Sequence, residues 1–485
     1  NAFDASIAAV MTSMSSEVNL TSMAGGGSLL AYVKGKKPIL YDFFVDAPPI
    51  KEKTNFEFYN TTIDFGKTKQ VFYIGKGSVA IPGNLKGLLY VHRKLGKLPL
   101  NIVTEPARDI AKNGVKLSSS QAYITSLLSS IIKTSIDSRK LFFKGEEVLG
   151  EGEIFYNHDF SNFIDWITEE GDRPFYEGEL GEKMVSYLGS DGLISMDDLK
   201  KYQVHERIPL RHQILDNIFF TNPSPSVGGT LMIFLLQLLE QIDSDYKSDN
   251  LLLIKLMAAT AKARYDYFKN PNDEYQLNQL FDNNIIDKYV NDVKTNILDD
   301  YTDFIDNGLG STTHVSIIDK DGNASSVTTT NGESCGHVLP NTGVILNNML
   351  GEQDLNPLGF HNWSIQKRMP TLISPSLVLN KNGDINLVIG SAGSNRIRSA
   401  IIQVMSNYLI KSMSLKDSIY SSRLHLEDNQ LYLEPNIKIN DYLITEKKIK
   451  ISQFPSINLF FGGVNAVTQT EAISDPRRGG HGISC

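Results

Sequence analysis

Cysteine is almost missing: the 485 residues hold two, Cys335 and Cys485. That excludes a disulfide-built scaffold and a four-thiolate zinc site. Free thiols are expected over a bridge between the two, which leans toward a cytoplasmic setting over a periplasmic or secreted one. The compartment otherwise stays open, because a chain that starts at Asn1 reads the same whether a leader was removed or not. A basic excess is also lacking. Forty-seven lysines and arginines, scattered along the chain, face 55 aspartates and glutamates for a net charge of −8. That balance speaks against nucleic acid or an anionic membrane surface as the main partner. No apolar run is long enough to span a bilayer. The most apolar stretch, Gly228 to Leu239, is interrupted by Gln237 and predicts a buried helix. With 41% hydrophobic and 21% charged residues, the composition is that of a globular protein, not of a coiled coil, a collagen or a disordered chain. The length allows one large layered domain or two packed together.

What is there changes period along the chain. Asn1–Met14 predicts a helix rich in small residues, followed by Gly25-Gly26-Gly27. Leu29–Val33 and Ile39–Phe44, joined by Lys34-Gly35-Lys36-Lys37, predict a hairpin. From Pro106 to Ser248 the pattern is largely helical, with one helix expected over Gln121–Ile136 and another over Leu251–Phe268. Ser195 with Asp198 is a capping box. Asn296–Ser311 is acidic, ends in glycines, and is expected to be solvated and mobile. Beyond it the period turns strand-like. Thr312–Ile318 and Ala324–Thr330 flank Asp319-Lys320-Asp321-Gly322, and Leu377–Leu379 and Ile385–Ile389 flank Asn382-Gly383: two tight hairpins. Arg396–Met413 returns to helix and Leu459–Ala472 to strand. Strands, a helical middle and further strands and helices predict an α+β layered fold in which two sheets pack between helices.

Several segments carry candidate chemistry beside a plainer reading. Asp319-Lys320-Asp321-Gly322-Asn323 hints at a calcium loop but lacks the later ligands of an EF-hand, so a hairpin turn is expected. Gly25-Gly26-Gly27 lacks the spacing and the lysine of a phosphate cradle, so close backbone packing is expected. His314 alternates within a strand and reads as structural. Gly390-Ser391-Ala392-Gly393-Ser394-Asn395 joins an apolar strand to a helix, and unpaired N–H groups at such a start suit an oxyanion as well as they suit an ordinary turn. Gly310-Ser311-Thr312-Thr313-His314 delivers hydroxyls to the first residue of a strand. If the peptide bond before Thr312 were cut, its new α-amine, with a reference pKa of roughly 8, would stand beside the hydroxyl as its base. From pattern alone, a plain β-strand is the favoured reading.

Thr312-Thr313-His314-Val315-Ser316-Ile317-Ile318-Asp319-Lys320-Asp321-Gly322-Asn323 resembles the start of the small subunit of γ-glutamyltransferases (γ-glutamyltranspeptidases). The likeness runs nearly end to end. It takes in Asn1–Ala5 with Gly25–Gly27, the segment Asn222-Pro223-Ser224-Pro225-Ser226-Val227-Gly228-Gly229, Gly390–Ile397, and Asp475-Pro476-Arg477-Arg478-Gly479-Gly480. The resemblance implies an N-terminal-nucleophile hydrolase with a four-layer αββα sandwich, made as a precursor that cuts itself. Residues 1–311 would form the large subunit region and 312–485 the small catalytic one, the two staying associated as one αββα unit. It further implies Thr312 as scissile position and nucleophile and Thr330 as the threonine that bonds to it. Gly393 and Ser394 would be the main-chain oxyanion donors. The substrate would be a γ-glutamyl amide, the acceptor water, an amino acid or a peptide, with no metal or organic cofactor. A homo-oligomer is left open.

The substrate-recognising positions depart from the family pattern. The arginine expected after Asp-Phe is replaced by Phe44, which removes the bidentate partner of a substrate carboxylate. The acid that holds the substrate α-amine is Glu352, and a glutamine contact becomes Met349. Of two paired hydroxyls, Thr371 keeps one where Leu372 does not. The stretch from Glu352 to Thr371 is short, so the lid loop of some relatives is expected to be missing. The expectation is an active self-cleaving amidohydrolase with an altered carboxylate clamp, unless an arginine from a non-matching place restores it. The alternatives are an acylase for another amide, such as a β-lactam side chain or a poly-γ-glutamate end, or an uncleaved, non-catalytic binding relative.

Overall fold

The two larger sheets alternate period-2 strands with few charges, as half-buried and fully buried strands require. In this computed structural model they use eleven strands: β1 (Gly26–Tyr32), β2 (Ile39–Phe43), β3 (His205–Arg207), β4 (Leu210–Ile214), β5 (Asn217–Thr221), β6 (Thr312–Ile318), β7 (Ala324–Thr330), β8 (Ser376–Asn380), β9 (Ile385–Ala392), β10 (Gly463–Val467) and β11 (Ala472–Ile473). The structure describes residues 1–17, 20–50, 55–64, 69–242, 250–268, 274–295, 297–299, 311–363, 367–427, 429–447 and 449–485. The acidic segment expected to be mobile lies mostly outside them.

The chain divides into two compact units, Asn1–Arg207 with Gly310–Met369, and Ile208–Leu309 with Pro370–Cys485. The first unit holds a five-stranded sheet in the order β6-β7-β1-β2-β3, antiparallel throughout. Helices α1 (Ala2–Ser16) and α2 (Asn84–Leu95) pack against it, with α3 (Leu100–Asn113) on α1 and α4 (His158–Glu170) on α3. Asn1 caps α1 by accepting from the N–H groups of Phe3 and Asp4. The helix then presents Phe3, Ile7, Val10, Met11 and Met14 to a core completed by Leu29, Tyr41, Leu85 and Leu88. The second unit holds a six-stranded sheet in the order β4-β5-β8-β9-β10-β11. Against it lie α5 (Val227–Gln241) and α7 (Arg396–Met405), and α6 (Asn250–Tyr267) packs on α5. Among the described residues no helix is long and apolar enough to cross a membrane.

The α+β class is thus present as one sheet with its helices in each unit. Each unit takes chain from both sides of Thr312. Both predicted hairpins form. The single helix expected over 121–136 is instead three short ones, Ser119–Leu127, Ser129–Ile132 and Ile136–Phe142. The second break has a serine at it, because Ser135 accepts from the Ser138 N–H and starts the third helix, whereas the first break, at Leu128, has no side-chain cap. Both cysteines are free, Cys335 buried and Cys485 exposed.

The triple glycine packs backbone on backbone. A Cβ on Gly25 would overlap the Thr330 carbonyl, and one on Gly27 would come 2.7 Å from the Thr328 oxygen. Glycine here lets β1 lie against β7 without displacing Thr330. Gly25→Ala is therefore expected to lower stability by about 1–3 kcal/mol in denaturant unfolding. Gly35→Ala, at a turn in open space with φ +79°, meets no overlap and should cost about 1–2 kcal/mol from its left-handed backbone alone.

Candidate functional site

Strand β7 reads Ala-Ser-Ser-Val-Thr-Thr-Thr and is buried along its whole length. Burying so many hydroxyls is tolerated only if each finds a partner. Ser325 donates to Ser6 at 2.9 Å, Thr328 meets His314 Nδ1 at 2.8 Å, and Thr329 meets Thr21 at 2.8 Å. His314 is buried between Thr328 and Ser316, and burial pushes its pKa down to about 3, so it is a neutral structural residue. The Asp319 turn is also structural. Asp319 accepts from the backbone of Ala2, Asp321 and Asn323, and no cluster of metal-ligating side chains occurs among the described residues.

The last hydroxyl of β7 meets the first residues of β6. Thr312 is buried and stands directly opposite Thr330 in the antiparallel register. The Thr330 hydroxyl donates to the carbonyl oxygen of Ser311, the bond that joins Ser311 to Thr312, and accepts from the N–H of Gly332 at 3.1 Å. Ser311 Oγ donates to the Glu333 carboxylate, and the Glu333 N–H donates to Asn348 Oδ1 at 2.7 Å. Thr313 donates to Glu17 at 2.8 Å. A hydroxyl that donates to a peptide carbonyl polarises it toward a nucleophile.

Glu352 lies beside this segment. Gly332 turns with φ +61°, and a Cβ there would overlap both Glu352 Oε1 and Asn348 Oδ1. Glu352 is half-buried, and its Oε1 is shielded from solvent without a hydrogen-bond partner. Burial, then Glu333, then Asp354 hold its pKa well above the ordinary glutamate range. A shielded carboxylate oxygen without a partner can accept from a cation. Asn347 is committed to the frame, binding Ala80 and Ala24 backbone at 2.8–3.0 Å.

Phe44 is buried, and an arginine that no sequence motif marks approaches it: Arg368. Its guanidinium donates to the Phe44 carbonyl, to the Tyr202 hydroxyl at 2.7 Å and to the Gln203 carbonyl at 2.6 Å. Its Nε lies 3.2 Å from Asp46 and 3.6 Å from Asp42, and Arg207 donates to Asp42 at 2.7 Å. Burial would raise the Asp42 pKa, but Arg368 and Arg207 together bring it below the usual range. Asp46, where burial dominates and Asp42 adds repulsion, is pushed up to about 6. Arg368 is thus tied to the protein at every nitrogen.

The remaining candidates, Thr371, Gly393 and Ser394, belong to the second unit. Thr371 Oγ1 accepts from the Ile373 N–H at 3.2 Å, and its carbonyl receives the Val227 N–H at 2.9 Å from the start of α5. Gly393 and Ser394 form the expected turn between β9 and α7, with φ +118° and +47°. Asn395 and Arg396 anchor that turn on Glu427, through a 2.8 Å hydrogen bond and a 3.7 Å ion pair. The C-terminal signature is a brace. Asp475 pairs with Arg423 at 2.6 Å and Arg477 at 3.1 Å, and accepts from the Val464 N–H of β10, the strand paired with β9.

The family model for Gamma-glutamyltranspeptidase matches residues 1–485. A glutathione hydrolase proenzyme of Pseudomonas aeruginosa is 27% identical, over all of this chain and 90% of its own. The capsule biosynthesis protein CapD proenzyme of Bacillus anthracis is 28% identical over 94% of this chain and 80% of its own. The crystal structure of a cephalosporin acylase from Bacillus halodurans shares the fold. Its TM-score is 0.80 at 19% identity, covering 98% of this chain and 90% of that one.

Two outcomes follow from the buried charges. Because the folded protein holds the Glu352 proton more tightly than the unfolded chain, stability should fall as pH rises from the ordinary glutamate range through the raised value. Glu352→Gln should therefore melt above the parent protein near about pH 8 and equal to it below about pH 4. Arg368→Ala strands Asp42 and Asp46 and should cost about 3–5 kcal/mol by urea unfolding.

Proposed function

The chain belongs to the gamma-glutamyltranspeptidase family and is an enzyme, and from that premise we propose a self-cleaving N-terminal-threonine amidohydrolase or acyltransferase acting on γ-glutamyl amides. Cleavage before Thr312 frees an α-amine that serves as base for the same residue's hydroxyl. Thr312 Oγ attacks the amide carbonyl and the amine takes its proton. The main-chain N–H groups of Gly393 and Ser394 are the assigned oxyanion donors. The leaving amine departs, and water or an amino acid resolves the Thr312 ester. Nucleophile, base and oxyanion donors all come from the chain. The observation that carries this reading is the Thr330 hydroxyl on the Ser311 carbonyl, in register with Thr312. The relatives' description as proenzymes supports it. Association after the cut is supported by the sheets. The first takes β1–β3 from one side of the cut and β6–β7 from the other, and the second takes β4–β5 and β8–β11. The likeness to a solved acylase fold supports the four-layer αββα sandwich.

Substrate recognition is proposed to be lopsided. Glu352 receives the α-amine of the acyl group and Thr371 offers a hydroxyl, while the carboxylate loses its arginine at Phe44. Arg368, whose two terminal nitrogens already donate to protein acceptors, does not restore it. That same observation favours a second reading, an acylase for an amide whose acyl part carries an amine but no α-carboxylate.

Intact mass and N-terminal sequencing should find a second terminus at Thr312 in the parent protein and none in Thr312→Ala. A single uncut chain that still turns over substrate would end the proposal. On acyl anilides, deleting the substrate's α-carboxylate should lower kcat/KM less than roughly tenfold, and deleting its α-amine roughly a hundredfold or more. The reverse order would show that a carboxylate clamp is intact.

A further inference from the structure

We infer that Glu333 positions the scissile residue for self-cleavage by holding the Ser311 hydroxyl, and so sets the rate of maturation; this rests on the reading that Thr312 is cut free from Ser311. Ser311 is held at two points by one short segment. Thr330 takes its carbonyl oxygen and Glu333 takes its side chain. Glu333 is itself fixed: it is buried, its N–H is bonded to Asn348 Oδ1 at 2.7 Å, and Gly332 turns the chain with φ +61° to bring it round. One hydrogen bond to a carbonyl leaves the peptide free to pivot about it. A second, charge-assisted bond through the side chain fixes which face of the carbonyl meets the Thr312 hydroxyl.

The step balances without drawing on Glu333 as a reactant. Thr312 Oγ bonds to the Ser311 carbonyl carbon, the C–N bond breaks, and the hydroxyl proton ends on the released nitrogen. Water then adds across the resulting ester, its oxygen joining the Ser311 carboxyl group and its hydrogen restoring the Thr312 hydroxyl. The product places a new carboxylate on Ser311 beside Glu333, in surroundings where Glu333 already opposes the ionisation of Glu352. Repulsion between these charges favours departure of the new terminus.

The test follows disappearance of the uncut full-length chain on denaturing gels for the parent protein, Ser311→Ala, Glu333→Ala, their double variant and Glu333→Gln. Ser311→Ala and Glu333→Ala should each slow cutting roughly tenfold to a hundredfold, and the double variant no further than either alone. Glu333→Gln, whose amide oxygen still accepts from Ser311, should cut within about threefold of the parent rate. Ser311→Ala that cuts at the parent rate, or single effects that multiply, would overturn the inference and leave Glu333 as a support of the core. A parent chain that is never cut would overturn the underlying reading as well.

Discussion

Thr312 faces Thr330 across an antiparallel ladder, and the chemistry proposed for this protein depends on that register. A one-residue slip would send every side chain of β6 to the other face and point Thr312 away from the turn that follows β7. The register is fixed from both sides. The Asp319 carboxylate gathers three backbone N–H groups at the hairpin end. At the open end, glycines let β1 lie flat against the last residues of β7. The buried hydroxyls of β7 work to the same end, since a hydroxyl with a fixed partner tolerates no sliding.

Around this ladder the first unit separates its charges into two groups with different tasks. Asp42 and Asp46 are matched by Arg207 and Arg368, and the group is closed on itself. Glu333 and Glu352 make the second group. One accepts a hydroxyl, the other keeps an oxygen shielded from solvent and without a hydrogen bond. The contrast sets an ion-pair cluster apart from an acid whose ionisation its surroundings oppose.

Much of this was legible in the sequence where the cause is local. The Asp-Lys-Asp-Gly turn, the Ser195 cap, the buried helix around Gly228 and the strand-to-helix turn at Gly393 all follow from neighbouring residues. The motif likeness added Thr312, Thr330 and Glu352, which the fold brings into one unit. Arg368 was not legible, because the Phe44 carbonyl it binds lies 324 residues away in the chain and no motif marks it. Glu333 and Glu427 escaped for a similar reason, since a lone glutamate reads as surface until its hydroxyl or amide partner is known. The helix expected over 121–136 failed in part because apolar spacing outvoted Ser135, whose hydroxyl caps a new helix.

Among the described residues, the strand that opens with Thr312 lies at the edge of its sheet and pairs with β7 alone. A nick before its first residue would sever the covalent thread ahead of the ladder, whereas a nick inside β1 or β7 would interrupt two ladders at once. Were the proposed cut made, its place at the margin would leave the pairing of β7 with β1 untouched.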